Sequence, residues 1–368
     1  MATLAGRNRF WIISRIAMQS LKSNALEPTR SELAALSRWG AVTRLLPIYG
    51  LPILVILLVI LFSAILPDTF PTALNVRLIL SDKSIIALLA LAAMIPMMAG
   101  RIDLTVGFGI VLWHILAISL QVWFHLPWPV AVLLVLIAGS LVGLFNGLLV
   151  EVAQVDSFIA TLGMGTILYS LALWHTGGRQ VIGFLPNGFL DINALSIFSI
   201  PMPAIYVLVL SILMWLVTER LPVGREIYAI GANEKAAALN GIPVRRRVIG
   251  VFVVSGFLTA FTGCVLASQL RIGQANVGLD YLLPALVGAF LGSTTIRPGR
   301  VNVWGTICGV LILAVGISGI QQLGGAFYVE PLFNGVTLVV SIALAGFAQR
   351  RRTKVRAMPQ RAAIRPVS

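Results

Sequence analysis

The sequence predicts an all-α integral membrane protein of about ten transmembrane helices, some of them broken, with one short cytoplasmic helix and both termini on the inner side. Three observations carry this. Of the 368 residues, 58% are hydrophobic and only 11% charged, against roughly 45–50% and about 25% in soluble domains. The mean hydropathy is +0.95, and at about 20 apolar residues per crossing the chain has room for about ten spans. The basic residues cluster on one side of those spans. A soluble fold with so few charges cannot cover its surface, which excludes an ordinary cytosolic enzyme, a nucleic-acid module and a disordered chain.

Residues 1–44 are polar and basic, with Arg7, Arg9, Arg15, Lys22, Arg30, Arg38 and Arg44. They lack an apolar core followed by a small-residue cleavage site, so they are read as a basic cytoplasmic extension rather than a secretory signal. Within it, 8–18 is either a short amphipathic helix on the membrane surface or a disordered tail. A transmembrane domain follows over 45–348, with apolar runs near 45–66, 83–99, 104–123, 128–150, 158–174, 202–219, 248–268, 282–296, 302–321 and 331–348. Two stretches are interrupted: 83–109 by Pro96, Gly100, Gly107 and Gly109, and 282–305 by Gly288, Gly292, Pro298, Gly299 and Gly305. The connection 175–201, with Gly177, Gly178, Pro186, Gly188 and Pro201, reads as an external loop. Residues 349–368 form a basic cytoplasmic tail that opens on Arg350, Arg351, Arg352, Lys354 and Arg356.

With the N-terminus inside, only Arg77, Lys83, Arg179 and Arg271 of the 27 Lys and Arg fall outside. The positive-inside rule therefore orients the chain with both termini in the cytoplasm. The net charge of +14 is accordingly a topology signal and a contact for anionic membrane lipid, not a nucleic-acid footprint.

Inside the spans, Gly139, Gly143 and Gly147 recur every fourth residue and make a flat stripe for close helix packing. Gly256 and Gly263 read the same way, and Asn146 either bonds across that interface or faces a pathway. Gly100-Arg101-Ile102-Asp103-Leu104 and Gly299-Arg300-Val301-Asn302-Val303 look alike, each at the inner end of a broken run. Unwound backbone at membrane depth survives only inside the protein or beside water. Asp103 is either a cap for the next helix, ahead of Thr105, or a gating or pathway group. Glu151 and Asp156 flank an inner turn and are expected to be solvated. The loop 220–247 is the one substantial polar segment between spans. There Asn233 is a good N-cap, Glu234–Leu239 a short helix and Gly241 its stop. This helix either receives force from a soluble partner or merely connects two spans.

Cys264 and Cys308 sit in apolar runs without metal spacing, and His114, His125 and His175 are scattered. None of the four lysines (Lys22, Lys83, Lys235, Lys354) follows a glycine, so there is no phosphate-binding P-loop. No catalytic constellation, metal site or dense set of intramembrane acids stands out. The expectation is a transporter with no catalytic residue and no cofactor of its own, powered by a partner.

Four segments resemble a known family. They are Ile102-Asp103-Leu104-Thr105-Val106-Gly107, Ser157-Phe158-Ile159-Ala160-Thr161-Leu162-Gly163-Met164, the inner-loop stretch Tyr228-Ala229-Ile230-Gly231 through Asn233-Glu234, Ala236-Ala237 and Gly241-Ile242, and the span from Val254-Ser255-Gly256 to Gly288. Together they are similar to the permease subunits of bacterial sugar ABC importers of the ribose, xylose and arabinose type, over roughly residues 50–348. The resemblance implies a multi-pass protein of the bacterial inner membrane and a second permease chain, identical or paralogous. It also implies a periplasmic sugar-binding protein and separate ATP-binding subunits that hold ATP and Mg. It places coupling to the ATPase on Gly224, Glu226, Gly231, Asn233, Glu234, Ala236, Ala237, Gly241 and Ile242. It places the translocation pathway or gate near Asp103, Thr105, Gly107, Asn146, Phe158 and Thr161. Gln269, Gln274 and Asn276 are further polar candidates for a pathway. The sequence departs from the family in Gly100-Arg101, where a Gly-Gly pair is usual, and in Leu291 to Arg300. A secondary active transporter for a small polar solute is the alternative. A membrane enzyme would have only Arg179 and Asp191 in the long outer loop to work with.

Overall fold

The structure, a computed structural model, describes residues 49–326, 328–340 and 343. The basic extension 1–44 with its 8–18 segment, and the tail 349–368, lie outside the described residues. In chain order the helices are α1 (Tyr49–Ile65), α2 (Ala73–Met98), α3 (Thr105–Val122), α4 (Trp128–Glu151), α5 (Ser157–Thr176), α6 (Asn187–Ala194), α7 (Met202–Trp215), α8 (Pro222–Ala232), α9 (Glu234–Leu239), α10 (Val244–Leu270), α11 (Leu279–Leu291), α12 (Val303–Gln322) and α13 (Val329–Val340). A wide π-helical turn, Leu216–Arg220, extends α7. Among the described residues the strands are a two-residue antiparallel pair, Ser196–Ile197 with Ile200–Pro201.

Seven helices are long and apolar enough to cross a membrane: α2, α3, α4, α5, α7 with its extension, α10 and α12. The helices α1, α11 and α13 are apolar but shorter. The core is built from α2, α3, α10, α11 and α12, through Leu88, Leu91 and Met94, Ile110, Ile115 and Ile118, Phe252 and Leu266, Val287 and Leu313. By contrast α4, α5 and α7 leave Leu133, Leu141, Ile159, Ile167, Leu208 and Val209 exposed. Apolar faces this extensive on helices that satisfy their own backbone hydrogen bonds call for a hydrocarbon surround, not water.

Three elements depart from the sequence reading. The second helix begins at Ala73, ten residues before the apolar run. Arg77, Asp82 and Lys83 interrupt the apolar pattern but not the helix, because Thr72 caps it and Asp82 and Lys83 find partners. Gln269 Nε2 donates to Asp82 Oδ1 at 2.9 Å, and Lys83 pairs with Glu330 at 3.3 Å. The connection 175–201 carries α6, anchored by the fully buried Phe189. The polar loop 220–247 holds two helices, since α8 precedes the expected α9. Pro222 at its first turn and Ile227 and Ile230 on its buried face make α8 amphipathic.

Candidate functional site

The break between α2 and α3 is confined to Ala99–Leu104. Pro96 sits near the end of α2, and Gly107 and Gly109 lie within α3. Gly100 turns the chain at φ +74°, a conformation that costs glycine little. Arg101 N–H returns to Pro96 O at 3.0 Å, and three of the next backbone donors are held by side chains. Ile102 N–H donates to Ser157 Oγ at 3.2 Å, Leu104 N–H to Thr161 Oγ1 at 3.0 Å, and Thr105 N–H to Asp103 Oδ1 at 3.0 Å. Asp103 is 1% exposed. Its Oδ1 also accepts from the Thr105 hydroxyl, and its Oδ2 accepts from Ser255 Oγ on α10 at 2.7 Å. Asn146 on α4 donates to Thr105 Oγ1 at 3.2 Å, while its own Oδ1 is buried without a partner. One buried carboxylate thus ties α3 to α10 directly and to α4 through Thr105. Thr161 and Ser157 add α5, and the three hydrogen bonds that the Asp103 carboxyl accepts offset part of what its burial costs.

The second break, between α11 and α12, repeats the arrangement. Gly299 has φ +84°. Asn302 stands where Asp103 does, buried, accepting from Gly305 N–H at 2.8 Å and donating to Gly292 O at 2.7 Å and Thr295 O at 3.0 Å. The five-residue likeness read in the sequence therefore corresponds to two similarly built helix starts.

The helix α8 touches both breaks. A Cβ on Gly231 would come within 3.1 Å of the Met98 carbonyl carbon and 3.2 Å of that of Ala99, so only glycine permits this approach. One turn earlier, the Tyr228 hydroxyl donates to Val301 O at 2.8 Å, and Arg300 lies over the Tyr228 ring. Burial pushes the Tyr228 phenol up to about 12, with Glu219 adding to the shift, so the hydroxyl keeps its proton to donate. Glu226 pairs with Arg247 at 2.5 Å, and Gly224 lies hard against the Thr218 backbone. In the next helix, Asn233 Oδ1 accepts from Ala236 N–H at 3.0 Å, Ala237 is buried, and Gly241 ends the helix at φ +79° with Ile242 N–H returning to Ala237 O. The last turn follows the capping arrangement expected from its glycine.

The other site residues are dispersed. Gly139, Gly143 and Gly147 face α10, where added Cβ atoms would meet Gly256 O at 2.6 Å, the Phe252 carbonyl carbon at 2.9 Å and Ile249 Cα at 2.8 Å. Gly107 admits Leu282 of α11 in the same way, while Phe158 points outward from α5, half exposed. Gln269 and Gln274 are at the other end of the molecule from Asn146 and Thr161. Gln274 Oε1 accepts from Gln180, and its N–H donates to the buried His114 Nε2 at 3.2 Å. Among the described residues no cluster of His, Cys, Asp or Glu is arranged to hold a metal ion.

Glu151 is not solvated as its sequence position suggested. Its side chain is 2% exposed and accepts from Arg101 Nη2 at 3.0 Å. Asp156 is exposed and caps α5 through Phe158 and Ile159 N–H. Sequence reading missed Arg101, Glu151, Ser157, Tyr228 and Ser255 as members of the site. Arg101 was read as an inner charge and as a departure from the family's glycine pair, not as an ion-pair bridge, because its partners are 50 and 133 residues away.

Comparison with known proteins matches residues 75–345 to the family described as branched-chain amino acid transport system / permease component. The chain is 33% identical over 306 residues to the ribose import permease protein RbsC of Bacillus subtilis (strain 168), covering 83% of this chain and 93% of that protein. It is 27% identical over 296 residues to the D-allose transport system permease protein AlsC of Escherichia coli (strain K12), covering 80% and 90%. It is 29% identical over 303 residues to the autoinducer 2 import system permease protein LsrD of Escherichia coli (strain SMS-3-5 / SECEC), again 80% and 90%. No solved structure matches the chain. A match across nearly all of the described helices, and relatives aligned over nine tenths of their own length, identify the chain as a multi-pass inner-membrane permease belonging to this transport-system permease family.

Proposed function

We propose that the chain is the membrane-spanning permease of an ATP-driven importer that carries a monosaccharide or related polyol across the bacterial inner membrane. The observation that carries this reading is the likeness to import permeases for ribose and allose over about four fifths of the chain. In this reading α1, α11 and α13 join the seven long helices to give ten spans, with both termini inside. The domain runs over 45–348, between basic cytoplasmic extensions that meet anionic lipid.

ATP-binding subunits dock on 220–247 and hold ATP and Mg, and a periplasmic binding protein delivers the sugar. A second permease chain, the same or a paralogue, completes the pathway. The docking surface comprises Gly224, Glu226, Gly231, Asn233, Glu234, Ala236, Ala237, Gly241 and Ile242. The contacts of α8 with both broken segments support it, since one helix touches Met98–Gly100 ahead of α3 and Val301 ahead of α12. Asp103, Thr105, Gly107, Asn146, Phe158 and Thr161 form or border the inner gate. Asn146 Oδ1, buried without a partner, is an acceptor available to a sugar hydroxyl or water when the helices part. The relatives carry different solutes on one scaffold, so the delivering protein sets much of the selectivity.

The test is uptake of radiolabelled ribose and allose into proteoliposomes holding the permease, its ATPase and its binding protein. Uptake that requires internal ATP and survives collapse of the proton gradient is expected. Uptake that persists without ATP and falls with the gradient would instead establish a secondary transporter.

A further inference from the structure

We propose that Arg101 is a positioning residue that fastens the short cytoplasmic helix α9 to the polar centre around Asp103, so that displacement of α9 is passed to the start of α3. The inference rests on the transport reading above. A single guanidinium nitrogen, Nη2, bridges two carboxylates on two other elements: Glu151 Oε1 at the end of α4 at 3.0 Å, and Glu234 Oε2 in the first turn of α9 at 2.8 Å.

The two arms are unequal. The Glu151 side chain is 2% exposed, and a carboxylate so buried holds its counter-ion firmly, because separation leaves an unpaired charge away from water. The Glu234 side chain is 47% exposed, where water and salt compete and the pair is readily broken and remade. Arg101 therefore stays with the transmembrane helices, and Glu234 is the arm that engages or releases as α9 moves.

Arg101 has little slack through which to lose such a movement. Gly100 packs against Gly231, with a Cβ there 3.6 Å from Gly231 Cα. On the other side Ile102 N–H and Leu104 N–H are pinned by Ser157 and Thr161 at the start of α5. A pull on the Arg101 backbone is delivered within two residues to Asp103, and from there to Ser255 on α10 and, through Thr105, to Asn146 on α4. The second broken segment is held differently, by the Tyr228 hydroxyl on Val301 O and by Arg297 with Glu219. The Arg101 bridge thus acts on the first half of the molecule.

The experiment uses the full complex in nanodiscs, with a nitroxide on Phe158→Cys in a Cys264→Ala/Cys308→Ala background. Its readout is the change in label mobility when ATP and vanadate are added, which needs no knowledge of the substrate. Arg101→Gln and Glu234→Gln are each expected to reduce that change at least five-fold, and the double variant no further, because both remove the same link. Arg101→Lys, whose ammonium can reach either carboxylate, is expected to recover part of it, which a role in folding alone would not predict. If Arg101→Gln fails to fold, Glu234→Gln still decides, since it leaves the Arg101–Glu151 pair intact. An undiminished change in Glu234→Gln, or losses that multiply in the double variant, would overturn the proposal. No ATP-driven change even in the otherwise unaltered chain would instead overturn the transport reading beneath it.

Discussion

Replacing Gly231 by alanine tests whether α8 must touch the first broken segment. The added Cβ would lie 3.1 Å from the Met98 carbonyl carbon, 3.2 Å from that of Ala99 and closer still to Met98 O. These are backbone atoms and cannot rotate aside, so α8 has to withdraw by about 1 Å to reach ordinary van der Waals separation. Overpacking of this kind costs about 1–3 kcal/mol. The withdrawal also strains the Tyr228–Val301 hydrogen bond one turn away, worth about 1 kcal/mol. Alanine's better helix propensity returns about 1 kcal/mol. The net loss is about 1–3 kcal/mol, or a fall of about 1–4 °C in the unfolding midpoint of the detergent-solubilised protein. ATP-driven uptake is expected to fall by more than the lost stability explains if, as proposed above, the contact lies between a docking helix and the gate. Gly250→Ala is the control: it makes the same chemical change on a helix, with nothing within 4 Å of the new Cβ. Equal midpoints and equal uptake for Gly231→Ala and Gly250→Ala would refute the reasoning.

Asp103→Ala leaves the Thr105 N–H and hydroxyl and the Ser255 hydroxyl without their acceptor in a site that is 1% exposed. A loss of about 2–5 kcal/mol is expected, read as reduced yield of monodisperse protein on size exclusion, with Asp103→Asn milder because one oxygen remains. Gly143→Leu drives α4 off α10, since even a Cβ would come within 2.9 Å of the Phe252 carbonyl carbon; Gly163→Leu, with nothing within 4 Å, is expected to fold normally in the same assay. Tyr228→Phe removes the donor to Val301 O and is expected to lower the unfolding midpoint by about 1 kcal/mol in equivalent free energy. Because the folded phenol titrates at about 12, above its unfolded value, the Tyr228 contribution is complete below about pH 10 and is lost as pH rises toward 12. A difference between the original chain and Tyr228→Phe that varied between pH 6 and 9 would contradict this.

Much of the molecule was legible because membranes impose simple rules. Among the described residues the apolar runs located the seven long apolar helices to within a few residues, apart from the start of α2, where helix continues through charged residues beyond the run. The α9 helix was read complete with its cap and stop because Asn233 and Gly241 act locally. The likeness of 100–104 to 299–303 was visible as five residues, but its meaning, a left-handed glycine followed by a buried side chain that caps a helix, needed coordinates. The amphipathic α8 was hidden inside a segment that reads as polar connection, and Glu151 was expected in solvent because it ends a span.

Composition and hydropathy determined by themselves that this is a helical membrane protein, because the bilayer selects on length and polarity, which are properties of segments; its permease type was legible only through four segments that resemble a known family. Which side chains meet was decided only by tertiary structure. Arg101, Glu151 and Glu234 are far apart in sequence, as are Asp103 and Ser255. The free energy of a buried charge depends on the partners that folding brings to it, and no single segment carries that information.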